Sequence, residues 1–172
     1  MREKTMKITK KSIIGASLLA LTITSGNPVN AADSYEFTLP AGLACEGFDL
    51  TINVTASDHQ VFKEWTDEDG NVVRTLAAGK GSDLVFLNET TNATLSLKAN
   101  GSVAKTTYNP DGSISGALMG HVVLILFPTD IPAGPSTTLN VGRILYTIGT
   151  DGVWTLQEMT GKATDICAAL SE

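Results

Sequence analysis

Four short turn signatures constrain this chain more than anything else in it. Asp69-Gly70-Asn71, Asn100-Gly101, Asn109-Pro110-Asp111-Gly112 and Asp151-Gly152 recur among runs rich in β-branched and aromatic residues. Asn-Gly and Asp-Gly suit tight hairpins because those turns need positive φ. Residues 48–55 (FDLTINVT) and 93–99 (ATLSLKA) alternate apolar and polar at every step, the period of a half-buried strand. The turns separate 61–65 from 72–76, 95–99 from 102–108, 102–108 from 113–119, and 143–148 from 153–159. The pattern is an antiparallel meander of about nine or ten short strands.

A meander must dispose of its edges. It is expected to close as a small up-and-down β-barrel, with a two-sheet β-sandwich as the alternative. Only 164–170 has helical character, two turns at most, with Thr164 or Asp165 as cap. FPTDIPAGPS, carrying Pro128, Pro132 and Pro135, reads as a long loop that no central strand can hold. Gly79-Lys80-Gly81-Ser82 reads as a strand connection. Around Gly142 the inward set moves from Leu139 and Val141 to Ile144, Tyr146 and Ile148. A β-bulge at Gly142 would produce that phase change. Residues 122–127 (VVLILF) are apolar without alternation. Six residues are too few to span a bilayer as a helix and suit one strand buried on both faces. One face belongs to the core. The tail helix, the proline loop or a partner subunit is expected to cover the other.

The N-terminus places the protein outside the cell. Arg2, Lys4, Lys7, Lys10 and Lys11 precede an apolar stretch over 12–24, and Val29-Asn30-Ala31 is a small-x-small cleavage site. Those parts in that order form a secretory signal peptide over 1–31, lysine-rich in the bacterial manner. Cleavage after Ala31 takes 31 of the 172 residues and leaves 141, the size of a single domain over 32–172. Five of the 12 basic residues and one of the 18 acidic ones go with the leader, leaving 7 against 17, a net charge of −10. A surface that acidic repels phosphate backbones and anionic headgroups. Neither nucleic acid nor, after cleavage, a membrane is an expected partner.

Cys45 and Cys167 are the only cysteines. In an exported chain an even pair reads as one disulfide. Closing so long a loop contributes roughly 4–5 kcal/mol in the chain-entropy picture. Two other readings exist. Leu43-Ala44-Cys45 faintly resembles a lipid-attachment site, but Asp33, Glu36 and Pro40 separate it from the apolar stretch. A catalytic thiol needs a lowered pKa, and the neighbouring Glu46 and Asp49 act the other way.

The runs GNVVRTLAAGKGSDLVFLNETTNATLSLKANGS, FPTDIPAGPSTTLNVGR and DICAALS resemble a group of small secreted actinobacterial proteins with a signal peptide and a single cysteine pair. The resemblance covers most of the chain beyond the leader. It implies an exported single-domain protein and carries no activity.

Chemistry-bearing patterns are few. His59 lies in a turn-like stretch and His121 opens the apolar run; no G-x-S-x-G or H-E-x-x-H accompanies them. Asp67, Asp69 and Asn71 have the first three spacings of a calcium loop, but Gly70 stands fourth and Ala78 twelfth. A hairpin turn explains the same residues. Asn53, Asn88, Asn92 and Asn100 head N-x-S/T triplets, which matter only in a glycosylating host. No metal or cofactor is required by any of these patterns.

Three functions follow in order of preference. The first is a non-enzymatic binding protein holding a small apolar or amphipathic ligand in a barrel. Trp65, Tyr108, Tyr146 and Trp154 are then candidate pocket aromatics, with His121 or Arg143 as the polar contact. The second is an extracellular protein-interaction domain using the outer face of 122–127 and the proline loop. The third is a β-barrel isomerase or hydrolase pairing His121 with Asp83, Glu64 or Asp130.

Overall fold

The computed structural model describes residues 34–57, 59–98 and 100–172; residues 1–31, expected to be a signal peptide, lie outside them. Among the described residues the chain order is β1 (Ser34–Leu39), β2 (Leu50–Thr55), β3 (Gln60–Thr66), β4 (Val72–Lys80), β5 (Asp83–Asn88), β6 (Thr94–Leu97), β7 (Gly101–Tyr108), β8 (Ile114–Leu126), β9 (Ser136–Ile148), β10 (Trp154–Asp165) and α1 (Ile166–Ala169).

The strands form two antiparallel sheets, β1-β2-β5-β6 and β10-β9-β8-β7-β4-β3. Neither closes on itself, so the expected barrel gives way to the two-sheet alternative. The reason is local. A barrel needs consecutive strands to keep pairing, and this chain changes sheet between β2 and β3, β4 and β5, and β6 and β7. Asn100-Gly101, expected to be a hairpin turn, is the last of those crossings. Gly70, Gly112 and Gly152 take φ of +85°, +86° and +82° and close the β3–β4, β7–β8 and β9–β10 hairpins.

The larger sheet is sharply bent. β8 has 13 residues, about 40 Å if straight at ~3.3 Å per residue. Five residues beyond its end, the Ile131 amide donates to the Trp154 carbonyl at 2.9 Å, and the Leu156 amide donates to the Ile131 carbonyl at 2.7 Å. Trp154 pairs with Ile148, which pairs with Ile114 at the start of β8. Five residues reach at most about 18 Å, so the far ends of β8 are folded toward one another.

The fold line is written in glycine. Gln60, Gly79, Ser102, Gly120, Gly142 and Gly161 form one row across all six strands. A Cβ at Gly120 would overlap the Gly101 carbonyl oxygen, and one at Gly142 the Thr160 carbonyl oxygen. Only side-chain-free positions let adjacent strands bend together there. Gly142 pairs with Gly120 and Gly161 in unbroken register, and the β9–β10 shift falls between Leu156 and Glu158. The bulge expected at Gly142 is therefore a bend. Val141, expected to point inward, is 38 % exposed; Leu139 packs into one core, while Ile144 and Tyr146, on the other face, build another.

Beyond the fold line only β8, β9 and β10 continue. The four-stranded sheet packs on that extension, where Leu50, Ile52, Val54 and Phe86 meet Val123, Ile125 and Leu139. Ala44, Cys45, Ile166 and Leu170 close this core at one end. The Cys45–Cys167 bridge, with Cα atoms 5.6 Å apart, ties α1 to the turn before β2. Asp165 caps α1, its Oδ1 accepting from the Ala168 amide at 3.0 Å. The second core gathers Leu124, Leu126, Ile144, Tyr146 and Trp154. Alternate residues of the apolar run thus enter different cores, Val123 and Ile125 the first, Val122, Leu124 and Leu126 the second. The chain itself covers both faces.

Candidate functional site

The bend and the sheet crossings leave a gap between the two sheets. β4 and β7 stop at the fold line, and their continuations at Gly81-Ser82 and Asn100-Gly101 step across to the smaller sheet. The Gly81 amide donates to the Asn100 carbonyl at 2.8 Å, joining the two crossings. Behind them lies a partly open cleft of about 320 Å³.

Its wall on the smaller sheet is apolar because β1, β2, β5 and β6 alternate. Tyr35, Val54, Leu84 and Leu97 share one row, and Phe37, Ile52, Phe86 and Leu95 the next, all on the inner face. Tyr35 and Phe37 stack with centroids 6.2 Å apart. The opposite wall comes from β8 at the fold line, with Leu118, His121, Val122 and Val123. Polar groups gather at the mouth: Ser82, Lys98, Asn100 and Ser102. Lys98 Nζ lies 3.0 Å from Asp83 Oδ2, so its charge is balanced at the rim. Burial pushes the Tyr35 phenol above its ordinary pKa.

The six residues singled out by sequence do not converge. His121 lines the cleft. Tyr146 and Trp154 stack at 5.5 Å inside the second core. There Gly116 makes room for the ring, since a Cβ on it would overlap Tyr146. Burial raises the Tyr146 phenol pKa, with the Thr106 hydroxyl at 3.3 Å acting against that shift. Trp65 is exposed on β3 with the Arg74 guanidinium 4.5 Å over its ring. Tyr108 ends β7 at the surface. Arg143 lies on β9, 3.6 Å from Glu158. Tyr35, Phe37, Leu84 and Leu97 line the cleft without having been among those candidates, though Tyr35 and Phe37 had a signal of their own. SYEFTL places Tyr35, Phe37 and Leu39 at strand period.

The carboxylates proposed as catalytic partners are dispersed. Asp130 is buried in the turn after β8, its Oδ2 accepting from the Phe127 amide at 2.7 Å. Glu64 is exposed on β3, and Asp83 sits at the rim with Lys98. The Asp67 carboxylate is taken up by the hairpin, accepting from the amides of Asp69 at 3.0 Å and Asn71 at 2.8 Å. Among the described residues no cluster of three or more His, Cys, Asp or Glu could hold a metal ion, and no helix is long and apolar enough to cross a membrane. No family model, curated protein or solved structure matches this chain.

Proposed function

We propose that this is a secreted, non-enzymatic binding protein that holds one small apolar or amphipathic molecule between its two sheets. The observation that carries the reading is the cleft, aromatic and aliphatic inside, with Ser82, Asn100, Ser102 and the Asp83-paired Lys98 at its mouth. Its volume of about 320 Å³ sits at the small end of the roughly 300–1,000 Å³ usual for ligand sites. The disulfide suits an oxidising, extracellular setting.

Native mass spectrometry of the protein purified from a secreting host tests this, alongside a Val54→Trp variant that fills the cleft. The expected result is a discrete adduct, or saturable uptake of single-chain alcohols and fatty acids, lost in the variant. A bare chain that takes up neither class, or uptake unchanged by Val54→Trp, overturns it.

A further inference from the structure

Among the described residues no strand pairs with the outer side of β3 or, past the Ile131 bridge, of β10, and these two edges match each other. On β3 all seven residues are exposed, Val61 by 55 % and Phe62 by 62 %. Such an edge normally carries a proline, a bulge at its centre or a cover to prevent strand addition. β3 has no proline, and its one register shift lies at the Trp65/Thr66 end. At the other edge, Ile131 bridges to Thr155 and caps the start of β10, while every β10 residue from Gln157 onward is exposed. We propose that copies of this chain associate edge to edge, β3 of one adding to β10 of the next.

The sheet's own geometry fixes how they would meet. Five antiparallel pairings separate β10 from β3, so these two strands run in opposite directions. A second copy displaced sideways by the width of the sheet therefore brings its β10 beside β3 antiparallel, with the faces preserved. Hydrogen-bonded and non-hydrogen-bonded pairs alternate along a row, and an even number of strands returns the pattern to its starting state.

The register then follows from the rows. Lys63, Leu76, Lys105, Ala117, Leu145 and Glu158 form one row, so Lys63 meets Glu158 of the next copy. Phe62 and Met159 end the adjacent row, and Met159 is 41 % exposed. Val61 and Thr160 end the row beyond. The junction therefore pairs opposite charges, an aromatic ring with a thioether, and two β-branched residues. Glu158 already draws Arg143 of its own copy to 3.6 Å, so Lys63 completes a three-membered ion cluster. An isologous β3–β3 contact centred on Lys63 would instead oppose two lysines. The β3–β10 contact is heterologous and does not close, so it builds a chain of copies. Twist of about 20–25° per strand turns each copy by roughly 120–150° relative to the last, which spreads the smaller sheets around the filament.

Charge exchange tests this. Sedimentation of the mature protein over a concentration series should show reversible growth in mass. Lys63→Glu and Glu158→Lys should each weaken association about tenfold. Mixing the two variants, or combining them in one chain, should restore it. In a second arm, Phe62→Cys and Met159→Cys variants mixed under oxidising conditions should cross-link to each other. A wild type that stays monomeric throughout, single variants that associate unchanged, a mixture that fails to recover, or Phe62→Cys cross-linking to itself alone would each overturn the proposal.

Discussion

β2 and β3 follow one another in the chain and end in opposite circumstances. β2 (LTINVT) is central in its sheet, with Leu50, Ile52 and Val54 buried. β3 (QVFKEWT) has every residue exposed. Both are short and rich in apolar residues, so composition does not separate them. Period does. In β2 the apolar residues fall on one face, and a second sheet covers that face. In β3, Val61 and Phe62 are adjacent and point to opposite faces, so no single cover could bury both. Where only one face of a strand can be covered, burial depends on concentrating its apolar area on that side; the apolar run of β8 escapes this because a core lies on each of its faces. An uncovered strand that spreads it over two sides stabilises the fold little and leaves its edge free for another partner.

The sharpest way to break this comparison is to truncate one phenylalanine in each region. Phe86 is fully buried beside β2, and Phe62 is 62 % exposed on β3. Phe86→Ala should cost roughly 3–5 kcal/mol. Phe62→Ala should change stability by no more than about 0.5 kcal/mol. Urea unfolding of dilute, monomeric protein reads both. Comparable losses would mean that β3 is covered after all.

Much of this contrast was legible in the sequence, and the failures have physical causes. Three of the four Asx-Gly marks close hairpins because a tight turn depends on local φ alone. Asn100-Gly101 has the same composition, yet Gly101 does not take positive φ and the chain crosses between sheets there. A dipeptide reports what its backbone can do, not which strand lies beyond it. Gly120 likewise split β8 into two expected strands. It is instead the pivot of one long strand, a role visible only when Gly142 and Gly161 are seen beside it. The candidate pocket aromatics scattered for a similar reason. Tyr146 and Trp154 are large enough to line a site or to fill a core, and only the fold line decides which.

The fold line gives a second, smaller test, again between two regions. Gly120 has φ +93° and would drive a Cβ into the Gly101 carbonyl, whereas a Cβ on Gly101 would meet nothing within 4 Å. Gly120→Ala should cost about 1–3 kcal/mol through overpacking and backbone strain. Gly101→Ala should stay within about 0.5 kcal/mol of wild type. Thermal melts of the two variants decide. Equal tolerance would show that the bend does not depend on the glycine row.

The smallest effect concerns two exposed turn carboxylates, one in each region. Asp67 closes the β3–β4 hairpin and Asp111 the β7–β8 hairpin. The Asn71 side chain and amide hold the Asp67 pKa below its ordinary value, and the Ser113 hydroxyl and amide do the same for Asp111. A carboxylate with a depressed folded-state pKa binds fewer protons folded than unfolded. Its contribution is complete above the unfolded value of 3.8 and is lost as pH falls through the folded one. Both turns should therefore loosen only below about pH 4, but with different reach. The Asp111 turn joins β7 to β8, which runs through both cores, so Asp111→Asn should flatten the acid limb of the global unfolding curve. The Asp67 turn joins strands at the uncovered edge, so Asp67→Asn should alter amide exchange in β3 and β4 and leave global unfolding unchanged. Acid titration followed by both readouts separates them. A global effect from Asp67→Asn would mean that the edge and the cores unfold as one cooperative unit.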